Sequence, residues 1–151
     1  EEETISNEEF MLTPLTNQKP SKESVLILLN AWLNSKSIIL EGGRSETLKL
    51  VARKSLVDRV RNERLKDIEL NEFQKIDARI LSLDLASQTP KRIEVKAILS
   101  YRDTRINSSG ETISDTVIPS LKVTYVLGRE KKLWQLVDYI SGSDSAKSRK
   151  R

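Results

Sequence analysis

The sequence predicts an α+β domain: N-terminal helices packed in a strongly curved antiparallel sheet of four strands or slightly more, a cone-like barrel. Three observations predict it. Apolar residues recur with a helical period up to Asn71 and alternate after it. The alternating half breaks into four runs joined by short turn-forming stretches, the signature of a hairpin-connected meander following helices. Two of those runs approach a dozen residues, well beyond the usual five or six, and strands of that length must curl. A sheet curled around a helix leaves a cavity mouth, where small ligands or peptide ends bind.

The first twenty residues, EEETISNEEFMLTPLTNQKP, form an acidic linker that reaches the fold at Pro20, with Met11, Leu12 and Leu15 able to touch the domain. A helix starts with Ser21 as its cap and Glu23 at its positive end. Val25, Leu28, Leu29 and Trp32 make its inward stripe, and EGG at 41–43 stops it. A short helix is expected around Ser45–Val51. The third, KSLVDRVRNERLKDI, places Leu56, Val57, Val60, Leu65 and Ile68 on one face and crowds charge onto the other.

The first strand is FQKIDARILSLDL. Ile76, Ala78 and Ile80 share one side, whereas Leu81, Leu83 and Leu85 share the other, so a bulge or sharp twist is expected at Ile80–Leu81. After the turn at TPKR, RIEVKAILSYRDTRI points Ile93, Val95, Ala97, Leu99 and Tyr101 inward. NSSGE turns the chain again. DTVIPSLKVTYVLGR carries Leu121, Val123, Tyr125 and Leu127 on one face, with Pro119 marking an edge or bulge. KKLWQLVDYIS is the fourth strand. The tail from Gly142 to Arg151 has no apolar residue larger than Ala and is expected to be disordered.

At 151 residues the chain suffices for one domain, here residues 21–141, with a real core. The net charge of +4 divides into −4 over residues 1–20, +3 over 142–151 and +5 between them. No apolar run reaches the ~18 residues of a membrane span. The chain opens on Glu1 rather than Met, the pattern of a piece of something longer, so an anchor or address is expected upstream. Cysteine and histidine are both absent, which excludes disulfides, the usual zinc and haem sites, thiol nucleophiles and Ser-His triads. No phosphate-cradling glycine motif occurs. No metal, cofactor or catalytic group is expected.

Two alternative functions stay open. A cavity enzyme of isomerase or dehydratase type would use an Asp base, with Asp77, Asp84, Asp103 and Asp138 as candidates against the usual exposed, ion-paired carboxylate. A nucleic-acid binder would use Arg59, Arg61, Arg64 and Lys66. Asp58, Glu63 and Asp67 are interleaved with these, however, and the chain has seven aromatics, so nucleic acid is not expected.

The order of LLNAWLNSKSIILEGG, ETLKLVARKSLVDRV, FQKIDARILSLDL, RIEVKAILSYRDTR and LKVTYVLGREKKLWQLVDYIS over residues 21–141 resembles one module. Its pieces are Trp32, Lys36 and Gly42 on the first helix and its turn, then Tyr125, Leu127, Arg129, Trp134 and Leu136 on the last strand pair. The resemblance is to the intermembrane-space (IMS) domain of the plastid-division protein Accumulation and Replication of Chloroplasts and its cyanobacterial relative ZipN. Relatives tend to carry Gly-Pro and a His after the first helix, where this chain has Gly42-Gly43-Arg44. The resemblance implies a cone similar to nuclear transport factor 2 and no enzymatic activity. It also implies a membrane-anchored scaffold that captures a division partner's C-terminus in a pocket, on the extracytoplasmic side: the cyanobacterial periplasm or the plastid intermembrane space. The same module ends some cyanobacterial Ser/Thr kinases.

A peptide carboxylate needs an Arg or Lys and hydroxyl donors beside an apolar wall. Lys36, Arg79, Tyr101, Arg102, Tyr125 and Arg129 are the candidate partner-binding residues, with Leu29, Trp32 and Trp134 as core.

Overall fold

The computed structural model describes residues 13–141; the acidic residues 1–12 and the basic tail 142–151 lie outside the described residues. Helix α1 (Lys22–Leu40), a single turn α2 (Leu48–Val51) and α3 (Lys54–Glu69) precede β1 (Glu72–Thr89), β2 (Arg92–Asn107), β3 (Thr112–Glu130) and β4 (Leu133–Ser141). The strands pair in chain order as an antiparallel meander. The sheet is open. The end holding the β2–β3 hairpin is called upper below, and the end holding the other two hairpins lower.

Local chemistry sets the boundaries. The Ser21 side chain accepts the Ser24 amide at 3.1 Å, capping α1. The helix ends at Glu41, where Gly42 takes φ +106°, a conformation that glycine alone adopts without strain. The middle helix is shorter than expected, a turn at Leu48–Val51.

Leu29, Trp32, Trp134 and Leu136 are all buried in one apolar core, and Ala52 bridges to Leu136. Adjacent residues of α1 reach opposite edges of the sheet: Ser37 Oγ donates to the Ile76 carbonyl of β1 at 3.0 Å, and Lys36 Nζ donates to the Tyr139 hydroxyl of β4 at 3.3 Å. Helix α1 therefore lies across the sheet and touches both its first and its last strand. Three strand pairs carry register shifts, at Ile80/Ser82, Leu85/Ser87, Leu99/Tyr101, Arg105/Ile106 and Val126/Leu127, each adding local bend.

The shift in β1 resolves the change of apolar face. Leu81 is the bulged residue and stays exposed, while Leu83 turns back into the core behind Ile80. Pro119 likewise lies at the β2–β3 shift, where a missing N–H breaks no ladder bond.

Leu65 and Ile68 are exposed; α3 buries Leu56, Val57 and Val60 in its first half and then Asp67. Its upper half therefore meets the sheet through polar contacts, described below. Residues 13–20, read from sequence as linker, are tied to the lower end. Trp134 N donates to Leu15 O at 2.9 Å, Trp134 Nε1 to Asn17 O at 2.7 Å, and Pro20 is buried.

Candidate functional site

The concave face carries an aromatic wall. Trp32 of α1 meets Tyr139 of β4 with ring centroids 5.7 Å apart, and Tyr139 meets Tyr125 of β3 at 6.3 Å. Lys36 lies one helical turn beyond Trp32, which sets its ammonium 5.6 Å from the indole and 5.3 Å from the Tyr139 ring. From the other helix, the exposed Arg59 guanidinium stands 5.8 Å from the same tyrosine ring. Among the described residues, neither cation is in an ion pair. Two cations and a phenol hydroxyl beside apolar rings offer a carboxylate both charge and direction.

Above this wall the chemistry reverses sign. Asp103 and Arg105 of β2 share the inward parity of Tyr101. Arg105 Nη1 is held by Asp67 at 2.8 Å and Glu72 at 3.2 Å. Gln74 Nε2 bridges Asp67 at 2.9 Å and Glu63 at 3.0 Å. Asp67 is thereby the buried charge that replaces an apolar residue on α3. Asp103 is less well served: Tyr101 donates to one oxygen at 3.4 Å, and its Oδ1 is buried without a partner. Burial, helped by the Glu63 charge, raises its pKa against the pull of Arg105. Burial also pushes the Tyr101 and Tyr125 phenols well above their ordinary range, so both are hydrogen-bond donors at any physiological pH. Glu63, Asp103 and Arg105 line an open recess of about 810 Å³ with residues 114–117 of β3. Among the described residues no group of three metal-ligating side chains converges.

The six sequence-derived candidates divide by position. Lys36, Tyr101 and Tyr125 share the concave side, Tyr125 as a buried support rather than an exposed contact. Arg79 and Arg102 alternate with inward residues and lie on the opposite face, ion-paired with Asp77 and Asp115. Arg129 is at the lower end, where its Nη2 donates to Thr16 O at 3.1 Å. Two residues of the wall were not among the partner-binding candidates: Arg59, considered only for nucleic acid, and Tyr139. Tyr139 was legible as the inward residue of β4 opposite Tyr125, whereas Arg59 sits on a mixed-charge helix whose orientation depends on the fold.

The family model described as "ARC6-like, IMS domain" matches residues 26–137. The crystal structure of the intermembrane space region of chloroplast protein ARC6 superposes with a TM-score of 0.65 at 13% identity, over 82% of this chain and 97% of that chain. At that identity the likeness is one of fold. No curated protein matches the chain.

Proposed function

The chain belongs to the ARC6-like IMS domain family, and from that premise we propose that it is a non-catalytic protein-binding domain of a membrane-anchored division scaffold. It captures the C-terminal segment of a membrane partner and couples the FtsZ ring to other division proteins. Its place is extracytoplasmic, in a cyanobacterial periplasm or a plastid intermembrane space, and the open sheet wrapped on α1 is a half-cone akin to nuclear transport factor 2. The observation that carries the reading is a pair of cations, Lys36 and Arg59, that flank the Tyr139 ring and have no ion-pair partner among the described residues. Tyr101 lies above them on the same concave side. A terminal carboxylate docked there would gain charge-assisted hydrogen bonds of the stronger kind.

The test compares C-terminal decapeptides of candidate division partners as free acids and as amides. Free acids should bind the wild-type domain about tenfold more tightly, the equivalent of one charged hydrogen bond. Lys36→Ala should abolish the difference. Equal binding of acid and amide rejects the pocket.

One observation favours a second reading, a cavity enzyme. Of the four aspartates considered, Asp103 alone is half-buried in the recess with a raised pKa. Turnover of a small carbon acid lost in Asp103→Asn would establish it.

A further inference from the structure

The upper half of β3 is an open edge. β4 pairs with β3 from Glu130 back to Val123 and ends at Ser141. Among the described residues, positions 112–122 therefore pair with β2 alone. A row of free N–H and C=O groups this long is a template for another strand, and natural edges are usually blunted with charge or covered. This one is not. Residues 112–122 hold two charges, Lys122 at the inner end and Asp115, which is tied on the outward face to Arg102 and Thr104. Ile113 and Val117 are exposed, and neither long helix packs closely against this segment.

The edge also borders the recess. Thr116 and Ile118 stand opposite Asp103 and Tyr101, so they face the concave side, with Glu63 of α3 across the gap. Arg105 is already engaged by Asp67 and Glu72. What is left over in the recess is negative: Glu63, bonded to a neutral amide, and the unpartnered oxygen of Asp103.

We propose that residues 112–122 of β3 take up an extended segment of the partner peptide as a fifth strand, with a Lys or Arg of that segment directed at Asp103 and Glu63. This rests on the peptide-capture reading and specifies the mode: main-chain bonds along β3 hold the segment, and alternate side chains enter the recess. The anionic recess lies above the cations Lys36 and Arg59, so the surface fits a segment carrying a basic residue and ending in a free carboxylate.

The probe is the synthetic hexapeptide Thr-Val-Lys-Val-Thr-Val, titrated to millimolar concentration into the ¹⁵N-labelled domain. Strand addition uses every second peptide N–H. N-methylation of one alternate set should weaken binding about tenfold or more, while methylation of the other set leaves it within about twofold. The shifted amides should lie in residues 112–122, and Lys→Glu in the peptide should weaken binding several-fold, with Asp103→Asn acting the same way on the Lys peptide. Absence of shifts in 112–122, or equal effects of the two methylated sets, overturns the proposal. So do shifts there that track protein concentration without peptide, which assign the edge to a second copy. Amidating the peptide separates the two readings. Alternation that persists with no effect of the amide rejects the carboxylate pocket alone, and an amide effect without alternation rejects strand addition alone.

Discussion

Lys36 and Tyr139 meet across the hollow of the sheet, 103 residues apart in sequence, with the ammonium donating to the phenol oxygen at 3.3 Å while lying 5.3 Å from the ring centroid. The contact joins α1 to the last strand. A lysine held over two aromatic rings has its direction fixed and has donors to spare for a ligand oxygen.

Removing that ammonium should therefore affect binding more than folding. Lys36→Ala forfeits a cation–π contact of about 0.5–1 kcal/mol, a small change in melting temperature, while free-acid peptide binding falls about tenfold or more. Tyr139→Phe keeps the ring and removes the hydroxyl, so affinity should drop with stability unchanged. Arg79→Ala, on the opposite face, is the control and should bind as wild type. Calorimetric titration against thermal melts reads both quantities, and a Lys36→Ala variant that loses stability but keeps affinity would make the contact purely structural.

Asp103 gives a pH signature. Its pKa is raised in the fold, chiefly by burial. Below the unfolded value both states hold the proton and no difference arises. As pH climbs through the unfolded and then the folded value, the unfolded chain ionises first and stability falls. Ionised Asp103 is thus a destabilising feature at neutral pH, and Asp103→Asn should melt a few degrees higher at pH 7. The gain should vanish below about pH 3, where the wild-type carboxyl is protonated in both states. Melting curves of the two proteins across that range decide it; a variant less stable at pH 7 would mean that Arg105 and Lys36 use the charge to net advantage.

The Arg105 network should behave as one unit. Asp67 is 2% exposed and depends on Arg105 at 2.8 Å and Gln74 at 2.9 Å. Arg105→Ala leaves that carboxylate buried without its cation, a loss of about 3–5 kcal/mol. Adding Asp67→Ala should cost less than the sum of the single changes, with a coupling of about 1 kcal/mol or more. Additive losses in urea denaturation would show that the two charges act independently.

Much of this architecture is written locally. Ser21 and Gly42 delimit α1 through capping chemistry. The slip from Ile80 to Leu83 announces the bulge, because side chains alternate strictly along a regular strand and only an inserted residue lets the apolar set change parity and still face the core. The site was less legible, since its pairs form across elements. Leu65 and Ile68 fit the apolar period of α3, yet Asp67 occupies the inward position because Arg105, 38 residues later, compensates it. Arg79 and Arg102 have the chemistry for an anion site, and only strand parity puts them on the far face.

The lower end carries the last prediction. Trp134 is fully buried and uses both its amide and its indole N–H to hold the segment before α1, donating to Leu15 O and Asn17 O. Trp134→Phe preserves an aromatic plug and removes one donor, leaving the Asn17 carbonyl without that partner, a loss of about 1–2 kcal/mol. The Trp134 amide still anchors Leu15 in this variant, so the effect should be local: hydrogen exchange rises around Asn17 to Lys19 before it rises in β4. Trp134→Ala also empties the volume of the indole and should cost about 3–5 kcal/mol, with exchange increasing across the lower core. The ordering of the two variants is the informative result. Because residues 13–18 connect the domain to whatever precedes it, loosening them without unfolding the sheet should leave peptide binding at Lys36 intact, and a Trp134→Phe domain that folds but no longer binds would tie this segment to the pocket.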